Sequence, residues 1–172
     1  MTAREAIYAR RSIRKYTDQP ISRETLRELA RLGAAGPSAT NRRPWVFVLV
    51  DDPAVMERVR AATMFGKFNA PAAVIVCGNM KRTLPLVAKD YWVQDCSAAM
   101  ENILLGAVDM GLGAVWLGVT PIERAVKKLS EALRLPSHIV PLGVAYVGHP
   151  AETQEPRTQL EDEMVVWNGW GE

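Results

Sequence analysis

Residues 91–118 read YWVQDCSAAMENILLGAVDMGLGAVWLG, and three features of that stretch set the class of fold. Met100, Ile103, Leu104 and Ala107 fall at i, i+3, i+4 and i+7, the spacing of one helix face. The small residues Ala98, Ala99 and Gly106 allow close approach of a neighbour. A helix over 91–110 that is apolar nearly all round is predicted to be central and buried. Gly111 then caps it, and 114–119 forms a strand. The glycines Gly111, Gly113 and Gly118 resemble a dinucleotide-binding pattern. They precede the strand instead of following it, so that reading is rejected. Gly118, at the far end of the strand, leaves room for a flat ligand to approach the backbone. The apolar run 103–119 is broken by Asp109 and carries four glycines, which argues against a membrane span.

Working outward, residues 2–10 suit a short helix. Ser22 is an N-cap, with Ile21 and Leu26 as its hydrophobic staple, and that helix runs to about Ala34, where Gly36-Pro37 stops it. Residues 46–50 form a buried strand. Asp52-Pro53 opens a helix carrying Val55, Met56 and Val59. Residues 72–77 form another strand, ended by Gly78-Asn79. Thr120-Pro121-Ile122-Glu123 reads as a capping box starting a helix that ends near Leu135-Pro136. Residues 141–147 form the last core strand, closed by Gly148-His149-Pro150. The order α-α-β-α-β-α-β-α-β-tail predicts layered α and β structure in one domain over 1–172. The tail, 151–172, is polar at first and then reads MVVWNGW over 164–170. It is too short for its own core and should pack along its own domain or on a second subunit.

Composition agrees with a globular domain. The 172 residues are 48% hydrophobic and 23% charged, with a net charge of +2. The charge is uneven. Residues 1–50 hold 10 Lys/Arg against 4 Asp/Glu, and the remainder is net acidic. A basic N-terminal segment implies an anion nearby. Cys77 and Cys96 lack a C-x-x-C partner and read as reduced core residues in a cytoplasmic protein. The N-terminus has no apolar signal-peptide core.

Arg10-Arg11-Ser12-Ile13-Arg14-Lys15-Tyr16 places four cations and a hydroxyl together. They could grip a phosphate through forked guanidinium bonds, form a solvated turn, or mark a nucleic-acid patch. Residues 36–45 form a polar loop stiffened by Pro37 and Pro44, in which Ser38, Thr40 and Asn41 offer donors and acceptors. It could fix the edge of a heterocycle or serve as a rigid connection. His138 and His149 make no metal set, and no nucleophile constellation or phosphate loop occurs. Asp90, Asp95 and Glu101 flank or lie on the central helix, with nothing marking a carboxylate pair. An enzyme built this way leaves its chemistry to a cofactor.

These segments, with residues 70–76, 111–118 and Pro156-Arg157-Thr158-Gln159, together resemble the shorter members of the nitroreductase family of flavin enzymes. The resemblance implies an α+β fold, an α/β/α sandwich around a central mixed, mostly antiparallel sheet. It also implies a homodimer with two FMN molecules at its interface and 151–172 as an arm wrapping the partner. Arg10, Arg11, Ser12 and Arg14 look like phosphate and ribityl contacts, and Arg157 like a further phosphate ligand. Pro37, Ser38 and Asn41 look like the loop that reaches the flavin, partly from the other subunit. Leu117 and Gly118 match the turn whose backbone amide faces flavin N5, with Trp116 beside them. Arg43 stands where the family often has Gln. The implied reaction is ping-pong: NADH or NADPH reduces the flavin, which passes electrons to a small molecule such as a nitroaromatic or quinone. Dehalogenase or azoline-oxidase chemistry on the same fold, and a nucleic-acid-binding protein using the basic segment, are the alternatives. The scattered tryptophans count against nucleic acid, and neither nucleic acid nor membrane is expected as a partner.

Overall fold

The computed structural model describes residues 1–156 and 158–170. Four strands, β1 (Trp45–Val50), β2 (Ala72–Asn79), β3 (Gly113–Gly118) and β4 (Ile139–Gly148), pair in the order β1-β2-β4-β3. Helices α1 (Ala3–Ala9), α2 (Arg23–Ala34), α3 (Pro53–Ala62), α4 (Tyr91–Asp109) and α5 (Glu123–Leu133) connect them. Alternation along the strands divides the core in two. Val74 and Val76 of β2 and Ala145 and Val147 of β4 face α2 and α4. Ala73, Ile75 and Cys77, with Val144 and Tyr146, face α3 and α5. The result is helices on both faces of one sheet, with α4 central and its Cys96, Ala99, Met100, Ile103 and Ala107 fully buried.

The helix starts follow local chemistry. Ser22 Oγ accepts from the Thr25 amide, and Asp52 caps α3 by accepting from Val55, with Pro53 in the first turn. Gly111 adopts φ +69° after α4, with Leu112 N donating to Ala107 O at 2.7 Å.

The sheet is mostly antiparallel as expected, and two other expectations shift. Every strand pair in this sheet is antiparallel. Among the described residues the parallel contribution is one bridge, Ser12 to Ala114. β2 does not end at Gly78-Asn79 but runs through both, because Gly78 pairs with Trp45 on one side and Val140 on the other. A Cβ there would sit 2.3 Å from the Trp92 ring, so the glycine serves packing and not a turn. The capping box at 120–123 is not formed. α5 starts at Glu123 after Ile122, with no side-chain cap, and the Thr120 hydroxyl instead donates to Pro141 O at 2.8 Å.

Candidate functional site

The end of β3 and the basic segment meet in one cleft. Ser12 bridges Ala114, and Ile13 N donates to Ala114 O at 3.0 Å, so the segment after α1 runs beside β3. Asn69 pins it further, accepting from Tyr16 N at 3.1 Å and donating to Tyr16 O at 2.7 Å. The Tyr16 hydroxyl donates to Ile13 O, and its burial raises its pKa. The root of the tail lies against the same segment. Ala151 N donates to Lys15 O, and Gln154 Nε2 to Ser12 O at 3.1 Å. The amides of Arg14 and Lys15 donate to Glu152 at 2.6 and 3.2 Å and hold that carboxyl below its usual range.

This packing leaves a cleft of about 260 Å³ lined by Arg10, Ser12, Glu101, Leu104, Ala114, Trp116 and Gly118. Four of the twelve predicted residues thus share one wall. A Cβ on Gly118 would meet nothing within 4 Å, so the end of β3 is open on this face. Trp116 lies on the same face, and its buried indole N–H has no acceptor among the described residues. Arg10 does not stand free. Its Nε lies 3.0 Å from Glu101 Oε1 on α4.

The remaining predicted residues are placed differently. The Arg11 guanidinium donates to the Glu155 carbonyl, and that of Arg14 to Ser12 O at 3.3 Å. Leu117 packs against the opposite face of the sheet, in the layer of α3 and α5, so only its backbone borders the cleft. Arg157 lies outside the described residues. Pro37, Ser38, Asn41 and Arg43 sit before β1, at the same end of the sheet as Gly118 but on the other edge. Three strand spacings, roughly 14 Å, separate the two edges. None of these four residues lines the cleft.

That loop is tightly determined. Thr40, Asn41 and Arg43 have φ of +47°, +56° and +49°, the left-handed region that disfavours side chains. Arg43 N donates to Ser38 Oγ at 2.9 Å, and Ala39 N to Asp95 Oδ1 at 2.8 Å. Asp95 is only 7% exposed. Asp95 and Glu101 are the residues that sequence reasoning passed over. For Asp95 a signal existed: a carboxylate between Trp92 and Cys96 lies on the apolar face of a buried helix and needs a partner. No sequence spacing connects Glu101 to Arg10. Another cleft, about 340 Å³ between β1, α3 and α5, contains none of the predicted residues. Among the described residues no group of His, Cys, Asp and Glu could hold a metal ion, and no helix is long and apolar enough to cross a membrane.

An α+β sandwich with a basic segment laid along one sheet edge and a strained polar loop on the other defines a class, and comparison with known proteins agrees. A model of the Nitroreductase family matches residues 7–65 and 60–149, and the chain belongs to that family. An Archaeoglobus fulgidus relative, provisionally named as an NADH dehydrogenase/NAD(P)H nitroreductase, is 44% identical over 151 residues, covering 87% of this chain and 86% of that protein. The crystal structure of a provisionally assigned Desulfovibrio desulfuricans nitroreductase in complex with FMN superposes with a TM-score of 0.82 at 30% identity, covering 99% of each chain. The Vibrio harveyi NADPH:FMN oxidoreductase, complexed with NAD+, gives a TM-score of 0.85 at 25% identity, covering 99% of this chain and 78% of that one.

Proposed function

We propose that this protein is an FMN-dependent NAD(P)H oxidoreductase of nitroreductase type, acting as a homodimer on small acceptors such as nitroaromatics or quinones. The observation that carries the reading is the cleft at Gly118, with Arg10 and Ser12 on its rim and an open backbone at its end. The residues present fit a flavin mononucleotide. A cation and a hydroxyl suit one phosphate or ribityl chain, the flat open strand end suits a ring, and the indole of Trp116 offers an apolar wall. At about 260 Å³ the cleft is smaller than the roughly 300–1,000 Å³ typical of a complete small-molecule site. Half a site per chain is consistent with a second copy supplying Pro37, Ser38, Asn41 and Arg43.

When bound, the flavin supplies two-electron transfer between a nicotinamide donor, NADH or NADPH, and the acceptor. The chain's own residues bind and orient it. Arg10 and Ser12, with Arg11, Arg14 and Arg157 nearby in sequence or on the tail, would hold the phosphate end. Backbone at Leu117 and Gly118 would border the ring, with Trp116 lining the same cleft. Residues 151–172 would form the arm that wraps the partner.

The test is the visible spectrum of the purified protein and chromatography of whatever it releases on denaturation. A yellow protein releasing FMN is expected, with bleaching on addition of NADH or NADPH. A colourless protein that cannot be reconstituted with FMN, or one that releases FAD, overturns the reading.

A further inference from the structure

Arg10 faces the cleft, and the group nearest its guanidinium is an anion of the protein itself. Glu101 lies in the middle of α4, whose backbone is fixed by the buried residues around it, Met100, Ile103 and Leu104. Its Oε1 is 3.0 Å from Arg10 Nε, and both side chains line the cleft with Ser12 and Gly118. Arg10 is fixed from behind, its amide donating to Ala6 O as the cap of α1. The pair is part exposed, at 32% and 45%, so it adds little to stability. An isolated ion pair of little structural worth, placed where a phosphate would bind, acts chiefly on the ligand.

We infer that Glu101 is the built-in counter-anion of the cleft: it holds Arg10 in place when no phosphate is bound and lowers the affinity for phosphate-bearing ligands. The inference rests on the flavin reading above. A phosphate arriving at Arg10 must share the guanidinium with a carboxylate of like charge. The penalty falls on the phosphate and not on the ring, so it separates FMN from riboflavin. Being part exposed, it weakens as salt screens the charges.

The experiment titrates apo-protein with FMN and with riboflavin, in the wild type and in Glu101→Gln, which keeps shape and removes charge. The variant should bind FMN about three- to tenfold more tightly and riboflavin within about twofold of wild type. Inorganic phosphate should compete with FMN at correspondingly lower concentration in Glu101→Gln. The gain should shrink at high salt. If both flavins bind and the FMN-to-riboflavin ratio is unchanged, or FMN binds more weakly in the variant, Glu101 only orients Arg10 and the inference is overturned alone. If the wild type binds neither flavin, the functional reading fails and the inference falls with it. Glu101→Ala serves as the second variant and should shift the ratio in the same direction.

Discussion

Gly118 and Gly143 pair across β3 and β4, yet they answer different demands. A Cβ on Gly143 would lie 2.4 Å from Trp116 Nε1 and 2.8 Å from Leu117 O, so the indole needs that bare backbone to lie on the sheet. Gly143→Ala is therefore expected to cost about 1–3 kcal/mol by overpacking and to change the near-ultraviolet tryptophan signal, as urea unfolding and circular dichroism would record. Gly118→Ala meets no atom and should stay within about 0.5 kcal/mol of wild type, while FMN binding weakens because the new methyl enters the cleft. The role of Gly118 was legible from its place at a strand end. That of Gly143 was not, because sequence does not say which tryptophan lies across which strand. The two thiols were legible as core residues, and both are buried and free. Burial pushes Cys77 and Cys96 up to about 12, from an ordinary value of 9.0. A raised folded pKa means the thiols' contribution is complete below pH 9 and is lost as pH rises toward 12. Each thiol should then lower stability by about 1.4 kcal/mol per pH unit across that window. Urea midpoints measured between pH 8 and 11 should fall, with native thiols unreactive to alkylation at pH 8.

At the level of elements, the loop before β1 is held against its own strain from outside. Three residues with positive φ in four positions would relax unless something tied the loop down. Asp95 does so from α4 through the Ala39 amide. Asp95→Ala leaves that amide unpaired near the core and should cost about 1–3 kcal/mol by chemical denaturation, with faster amide exchange over 38–43. Asp95→Asn retains an acceptor and should lose less. Equal protection of the loop in Asp95→Ala would mean that Ser38 and the prolines suffice. The same contrast explains which elements were readable. α2, α3 and the end of α4 carry their signals within a few residues, in Ser22, Asp52-Pro53 and Gly111, so their boundaries followed from sequence. The capping box at 120–123 failed because Thr120 had a distant competitor, the Pro141 carbonyl on β4, that no local rule anticipates. β2 outran its apparent stop for the same reason: Gly78 is kept in the strand by neighbours on both sides.

At the scale of the whole molecule, the tail is the part of the chain that its own fold leaves unused. Leu160, Met164, Trp167 and Trp170 are 74%, 62%, 84% and 89% exposed, with Val165 and Val166 between them. Scattered apolar residues are ordinary on a surface, but six large ones within eleven positions form a surface that calls for a cover. Sequence alone showed that this segment must pack on something and left the choice between its own domain and a second copy. The apolar side chains of the described tail stay exposed on its own domain, and none of Pro37, Ser38, Asn41 and Arg43 lines the cleft. Under the proposed function, an exchange of arms between two copies would meet both needs. The root of the tail is tied separately to the basic segment, through Ala151, Glu152 and Gln154. Truncation after residue 155 therefore keeps those ties and removes the exposed apolar residues from Leu160 to Trp170, together with Arg157. The full chain should be a dimer by light scattering, and the truncated chain should shift toward monomer and lose flavin together with the partner. Far-ultraviolet circular dichroism should stay close to that of the full chain, since no strand and none of the five helices lies beyond residue 155 among the described residues. A truncated chain that remains a flavin-loaded dimer would remove the arm from both the interface and the site.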